Sequence, residues 1–249
     1  MNPLMKKLLS ALLLLLLATA CASTVVPPPK TAEHYLEEGE ANFEKGRYED
    51  AIANWEKVRD SYFSPELNIL SELKIAEAYF LSERYVEAAT AYEDFLKQHP
   101  DHPRTADVLF QLGLSYFHQM LSADRDQTAT RNALSTFTDL QKRFPDFSRA
   151  DELTTKIAQC RERLAEHEIL VGQFYLRTKQ YQAASNRISG VLAENPDYPK
   201  KDEAYFLLGH AYLMLEQRQR AADAFNSLFR EYPASDYVLQ AQKLVEKNY

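Results

Sequence analysis

The stretch from Glu203 to Pro233 reads EAYFLLGHAYLMLEQRQRAADAFNSLFREYP, and its spacing decides the fold. A small residue is followed three positions later by an aromatic one, then by an alanine, a second aromatic four positions after it, and a proline. These are Gly209, Tyr212, Ala221, Phe225 and Pro233. Apolar residues around them recur at intervals of three and four, the period of an amphipathic helix. The stretch therefore predicts two helices that form a hairpin.

The same spacing occurs in four further segments of the chain. Three of them keep nearly every position: Ala76, Tyr79, Ala88, Tyr92 and Pro100; Gly113, Tyr116, Ala133, Phe137 and Pro145; Gly172, Tyr175, Ala184, Ile188 and Pro196. The N-terminal segment is degenerate and keeps Gly39, Ala51 and Trp55, with Asn42 at the tyrosine position and Pro65 two places late. Five copies in register indicate a tetratricopeptide repeat array.

The spacing has a physical cause in the packing of two antiparallel helices. We expect the Gly or Ala of the first helix to face the Ala of the second, with aromatic side chains filling the space beside that contact. Proline lacks an N–H group and ends the second helix. The sequence predicts an all-α fold, a tetratricopeptide-repeat superhelix of five helix-turn-helix repeats with a C-terminal capping helix in DYVLQAQKLVEKNY, residues 236–249.

Two repeats are irregular. The third has an insertion with the charged stretch SADRDQTATR, residues 122–131, which we expect to form a loop. The fourth has no helix breaker between Ala150 and Thr178 except Gly172, so its first helix should be about 45 Å long. This helix should join repeats 1–3, residues 32–148, to repeats 4–5 and the capping helix, residues 149–249. Its predicted apolar stripe is Leu153, Ile157, Cys160, Leu164, Val171 and Phe174.

Residues 1–20 have the layout of a signal peptide. Two lysines precede an apolar run from Leu8 to Leu17, and the small residues Ala18, Thr19 and Ala20 follow. An uncleaved membrane anchor is the alternative, but the run is shorter than the roughly 20 apolar residues of a membrane span. The segment LATAC, residues 17–21, resembles a bacterial lipobox, although Ala18 stands where leucine is usual.

The lipobox resemblance implies that Cys21 becomes the N-terminus and carries a covalent diacylglycerol and an N-acyl lipid. Residues 21–31 then form a proline-rich, flexible tether. Ala22 follows the cysteine where lipoproteins of the inner membrane commonly have aspartate, which points to the periplasmic face of the outer membrane. We expect the folded body to work in the periplasm.

Composition argues against nucleic-acid binding and against catalysis. The net charge is -7, and a nucleic-acid partner requires a basic surface. The pair His99 and His102 in QHPDHP is the nearest approach to a metal clip, but an inter-repeat loop is the favoured interpretation. Cys160 lies on an apolar stripe, and the six glycines include no phosphate-binding loop. We expect no enzyme activity, no metal and no cofactor other than the lipid.

A lipoprotein signal, a proline-rich tether and five such repeats together resemble the BamD (ComL-like) family of outer-membrane assembly-factor lipoproteins. The closest local matches are DRD at residues 124–126, QHPDHP at 98–103 and RLAEHEILVGQFYLRTKQYQAASNRISGVLAENP at 163–196. The resemblance covers nearly the whole mature chain. It implies a non-catalytic scaffold that binds the POTRA domains of BamA and unfolded outer-membrane β-barrel precursors.

The resemblance also implies which residues contact a partner protein. It places the BamA contact on the second helix of repeat 4, at Asn186 and Arg187, where a solvated arginine is the plain alternative. It leaves open which accessory lipoproteins bind. A tetratricopeptide pilotin that places a secretin, or an adaptor linked to cell division or peptidoglycan, is the alternative function, and the long fourth-repeat helix argues against both.

Precursor binding is expected on the first helices of repeats 1–3. Ligand-facing positions of such repeats lie three before and four after the small residue, and here all six are apolar: Leu36, Phe43, Leu73, Phe80, Phe110 and Phe117. They could receive an extended segment with alternating apolar side chains, as at the end of a barrel strand. Repeats 4 and 5 are apolar at the same positions, so packing between helices is the alternative.

Overall fold

The computed structural model describes residues 31–61 and 64–248, and in these residues every regular element is an α-helix. Eleven helices follow one another: α1 Ala32–Phe43, α2 Tyr48–Ser61, α3 Pro65–Leu81, α4 Tyr85–Gln98, α5 Thr105–His118, α6 Thr128–Arg143, α7 Ala150–Arg177, α8 Tyr181–Glu194, α9 Lys201–Met214, α10 Arg218–Glu231 and α11 Asp236–Asn248. Consecutive helices pack against each other along the whole series. The predicted all-α array of five hairpins and a capping helix is confirmed.

The prolines end the second helices of repeats 2 to 5 as predicted. Each lies two residues beyond the last helical residue, and the four are Pro100, Pro145, Pro196 and Pro233. Pro65 has a different role, because it is the first residue of α3. Proline is well tolerated there, since the first helical N–H has no partner within the helix. Pro65 therefore begins repeat 2, and the interpretation of a late terminator of repeat 1 is wrong.

The tight turns inside four hairpins share one backbone conformation. A residue two or three positions beyond the first helix is left-handed: Gly46 (φ 71°), and Glu83, Lys179 and Glu216 (φ 60° each). In the second repeat the Arg84 N–H donates to the Tyr79 carbonyl at 2.9 Å, and the other three turns have the equivalent bond. These bonds satisfy carbonyls at the helix end and reverse the chain within a few residues.

The glycines of the first helices face a large side chain, and not the alanine that we expected. A Cβ atom built on Gly39 would lie 2.3 Å from Trp55, one on Gly113 2.3 Å from Phe137, and one on Gly209 2.4 Å from Phe225. Gly172 meets Ile188 in the same way. The missing Cβ makes room for the ring of the second helix, while the alanines are buried beside it.

Helix α7 has 28 residues and belongs to two cores. Leu153, Ile157 and Cys160 pack into the core of the third repeat, as predicted. The stripe then rotates, and Ala165, Ile169, Gly172 and Leu176 face the fourth and fifth repeats.

The predicted continuation of this stripe through Leu164, Val171 and Phe174 is therefore wrong. Leu164 and Val171 are half-buried, and Phe174 is 51% exposed. The buried positions step by five from Cys160 to Ala165 where the other steps are three or four, so the face that packs on repeats 4 and 5 is turned from the face that packs on repeat 3.

The insertion in the third repeat is an ordered loop from Gln119 to Gln127, shorter than predicted because residues 128–131 already belong to α6. Buried Gln127 donates from Nε2 to the carbonyls of Ser122 (2.9 Å) and Arg125 (3.0 Å). The loop is fastened to α7 by His167, whose Nδ1 donates to the Ala123 carbonyl at 2.7 Å. Across residues 31–61 and 64–248, no helix combines the length and apolar character of a membrane span.

Candidate partner-binding surfaces

A groove of about 950 Å³ lies over α7, between α6 and α8. Its charged side chains are Arg131 from α6, Arg161 and Glu168 from α7, and Arg187 and Glu194 from α8. Three arginines against two glutamates give it an excess of positive charge on a protein whose net charge is -7. We call it the basic groove. It holds the two residues predicted for the BamA contact.

Asn186 and Arg187 are both exposed on α8. Arg187 Nη1 lies 2.8 Å from Glu168 Oε2, and this carboxylate raises the pKa of the guanidinium. Asn186 Oδ1 accepts a hydrogen bond from Gln182 Nε2 at 2.9 Å. Both side chains of the Arg187 pair are open to solvent, so the pair should stabilise the fold by only about 0.2–1 kcal/mol. Arg187 can therefore change its carboxylate partner at little cost.

Apolar side chains form the floor of the basic groove. Val191 is buried, and Leu134 and Leu164 are half-buried. Gly190 lies beside them, and a Cβ atom built on it would have no atom within 4 Å. The groove thus combines charged rims with an apolar base and one position without a side chain, an arrangement suited to a protein segment.

A second groove, of about 590 Å³, lies over α3 between α2 and α4. Its position in the hairpin series is equivalent, but its charged residues are Arg59, Glu72, Glu87 and Asp94. We call it the acidic groove. The two grooves occupy equivalent positions and differ in charge, so a charged partner segment should distinguish between them.

The six positions of the predicted precursor ladder differ in burial. Leu73 is 6% exposed and Phe110 is fully buried, so at these two positions packing between helices is the correct interpretation. Neighbouring helices cover them, and they cannot touch a ligand in this conformation. Leu36 and Phe43 are half-buried against the core around Trp55. The remaining pair, Phe80 and Phe117, are half-buried beside the cores of repeats 2 and 3.

An aromatic cluster that the sequence did not single out continues from Phe80. The rings of Tyr85 and His118 stack with centroids 4.5 Å apart, and Phe80 packs edge-on against both, at 5.5 and 5.7 Å. Lys156 Nζ lies 4.1 Å from the Phe117 ring centroid, and it lowers the pKa of His118 in addition to the larger effect of burial. Here an apolar surface meets a lysine on an otherwise acidic protein.

The histidines of QHPDHP and Cys160 have structural surroundings. His99 Nε2 lies 2.9 Å from Glu72 Oε2, and both the His99 and the His102 rings pack on Phe95. Among the described residues, no cluster of three or more His, Cys, Asp or Glu side chains could hold a metal ion. Cys160 is buried, and burial raises the pKa of its thiol to about 12. Cys21 lies outside the described residues.

Comparison with protein families gives one match that covers most of the chain. Residues 28–224 match the YfiO family, described as outer membrane lipoprotein. The outer membrane protein assembly factor BamD of Rickettsia prowazekii is 30% identical over 85% of this chain and 84% of its own length. BamD of Caulobacter vibrioides is 26% identical over 84% of this chain and 69% of its own length.

Among solved structures, the chain is similar to the TPR2AB domain of yeast Sti1 in its pHSP90 complex. That likeness has a TM-score of 0.43 and 15% sequence identity, and it covers 87% of this chain and 84% of the other.

Proposed function

The chain belongs to the YfiO family of outer membrane lipoproteins, and we propose on that basis that it is a non-catalytic scaffold of the β-barrel assembly machinery. Its relatives are named outer membrane protein assembly factors and not enzymes. The family match over residues 28–224 is the observation that supports this function most strongly. The tetratricopeptide hairpins supply a rigid series of helices with surfaces for more than one partner.

The proposed partner on the C-terminal repeats is BamA, through its periplasmic POTRA domains. Asn186 and Arg187 lie in the basic groove, and the Arg187 guanidinium can offer two parallel N–H groups to a carboxylate of the partner. Loss of an interface arginine of this kind costs about 1–3 kcal/mol of binding when its partner carboxylate is left unpaired.

The test of this role is outer-membrane assembly in cells depleted of the native chain. Arg187→Glu should restore fewer heat-modifiable, folded barrels than the unaltered chain does. Lys142→Glu makes the same change of charge on α6 outside the groove, and it should restore assembly fully. Equal restoration by the two variants would remove Arg187 from the partner contact.

The second proposed ligand is an unfolded barrel precursor, bound by the first-helix face of repeats 1–3. Because Leu73 and Phe110 are buried, the accessible part of the face is Phe80 and Phe117 with the adjoining aromatic cluster. An apolar segment could pack on these rings, while Lys156 attracts a carboxylate. Photo-crosslinking from position 118 to peptides copied from barrel C-termini tests this site, with position 239 on the capping helix as the control. Equal crosslinking from both positions would contradict it.

The third part of the proposal is attachment to the outer membrane through lipid on Cys21. Family membership associates the chain with that membrane, and LATAC at residues 17–21 motivates the specific anchor. Cys21→Ser should move the protein from the membrane fraction to the periplasmic fraction and remove the lipid mass from the N-terminal peptide. If that variant stays in the membrane and its N-terminal peptide keeps the same mass, Cys21 is not the anchor.

A further inference from the structure

Two arginines of the basic groove form no ion pair with any carboxylate in the part of the chain that the structure describes. Arg131 lies in the first turn of α6 and Arg161 near the middle of α7, and both are exposed in the groove. In residues 31–61 and 64–248, no carboxylate lies within ion-pair distance of either guanidinium. Asp126 precedes α6, and its carboxylate accepts the Thr128 N–H at 2.9 Å. That amide is the main cause of the lowered pKa of Asp126, and Arg131 adds only a smaller Coulombic effect without a direct contact.

Gly190 is the second observation, because the fold itself does not require a glycine there. Gly39, Gly113, Gly172 and Gly209 each make room for a side chain of the second helix, whereas Gly190 faces open space. Gly190 is also helical, so it does not supply a left-handed turn as Gly46 does. A glycine inside a helix lowers its stability relative to alanine. Its position is explained if another chain must approach the α8 backbone closely.

The groove floor supplies the third observation. The half-buried Leu134 and Leu164 lie in the same groove as Gly190. An apolar side chain inserted over Gly190 would bury surface against them, which is favourable in proportion to the apolar area removed from water. The acidic groove over α3 has the equivalent position but three carboxylates and one arginine, so it would repel an acidic segment.

We propose that the basic groove binds an acidic, extended segment of a partner protein, with carboxylates on Arg131 and Arg161 and one apolar side chain seated over Gly190. The proposal rests on the proposed function only in naming a protein partner of this surface. Beyond that function, it specifies the chemistry of the bound segment and adds Arg131 and Arg161 to the contact surface. The rim charges set orientation and association rate, and the apolar anchor supplies most of the affinity.

Glu168 should weaken the binding of an acidic segment in the basic groove. Its carboxylate is 2.8 Å from Arg187 and occupies the position that a partner carboxylate would take. An incoming acidic segment must therefore compete with Glu168 for the third arginine. Replacement by glutamine removes the competing charge and keeps nearly the same volume, so Glu168→Gln should bind the segment more tightly than the unaltered chain does.

The test uses the full chain in detergent and a fluorescein-labelled peptide of glutamates around one central leucine, with binding followed by fluorescence anisotropy. We expect Arg131→Gln/Arg161→Gln to weaken binding about fivefold or more at low salt and to reduce its salt dependence. Gly190→Leu should weaken it about tenfold without lowering the melting temperature, because the new side chain fills the groove and not the core. Glu168→Gln should tighten it about two- to threefold.

The matched control is Lys142→Gln/Lys243→Gln, which removes the same charge outside the groove and should bind the peptide as the unaltered chain does. A peptide with lysine in place of glutamate should not bind in the groove. Equal affinities of the control and the double-arginine variant, or full binding by Gly190→Leu, would overturn the inference. If the inference fails in this way but Arg187→Glu still impairs barrel assembly, the proposed BamA contact is not refuted. If the peptide binds as expected but Arg187→Glu supports normal assembly, only the proposed contact between Arg187 and BamA is refuted.

Discussion

The packing role of the first-helix glycines gives the sharpest stability prediction. In Gly209→Ala the new Cβ atom would lie 2.4 Å from Phe225 Cε1, well inside van der Waals contact, and Phe225 is buried in the C-terminal core. Overpacking of this kind costs about 1–3 kcal/mol. Alanine returns about 0.5–1 kcal/mol through its higher helix propensity. The difference between the midpoints of the two ranges is a net loss of about 1 kcal/mol.

Gly190→Ala is the matched variant, because it makes the same chemical change in a helix with no atom within 4 Å of the new Cβ. Only the helix-propensity gain of about 0.5–1 kcal/mol remains, so this variant should be more stable than the unaltered chain. For a chain of this size, 1 kcal/mol shifts the melting temperature by about 2–4 °C. Far-UV circular dichroism should therefore show a fall of about 2–4 °C for Gly209→Ala and a rise of about 1–4 °C for Gly190→Ala.

A rescue variant separates a clash from other causes. Phe225→Leu shortens the side chain that the new methyl group strikes, so Gly209→Ala combined with Phe225→Leu should lose less stability than the sum of the two single changes. Strict additivity would show that the glycine and the ring do not meet. Shifts of the same sign in Gly190→Ala and Gly209→Ala would refute the explanation by close packing altogether.

The remaining predictions concern the inserted loop, the precursor ladder and pH. Gln127→Ala should cost about 1–3 kcal/mol, because it leaves buried hydrogen-bonding groups unpaired, and hydrogen exchange should rise across residues 119–127. Phe110→Ala should cost about 3–5 kcal/mol in thermal or chemical unfolding, since the ring is fully buried, and the half-buried Phe117→Ala clearly less. Burial lowers the pKa of His118 and His210 in the folded chain. Below about pH 6.5 the unfolded chain therefore binds more protons than the folded chain, and the free energy of unfolding falls as the pH drops. Replacing both by glutamine should reduce the loss of melting temperature between about pH 7.5 and pH 5.5, and an unchanged loss would contradict this.

The hairpins could be predicted from the sequence because the same spacing of small and aromatic residues recurs in every repeat. The spacing of Gly209, Ala221 and Phe225 is enough to set two antiparallel helices. It does not show that the glycine opposes the phenylalanine, because that depends on the crossing of the two helices. It also does not reveal the left-handed turns at Glu83 and Lys179, since neither is a glycine.

The basic groove was only partly visible in the sequence. Arg187 was found through a family resemblance, but Arg131 and Arg161 lie on two other helices and meet it only through tertiary packing around α7. One signal was available. Of the six glycines, Gly190 alone belongs neither to the small position of a repeat nor to a turn, and such a glycine suggests a close approach by another chain.

Affinity purification of the full chain from the cell envelope tests the central claim most directly. The unaltered chain and Lys142→Glu should co-purify BamA in equal amounts, identified by mass spectrometry, and Arg187→Glu should recover several-fold less. The variants should reach the membrane in equal amounts, so the comparison reports binding alone. Recovery of a secretin or of peptidoglycan-linked proteins in place of BamA, from the unaltered chain, would contradict a role in barrel assembly.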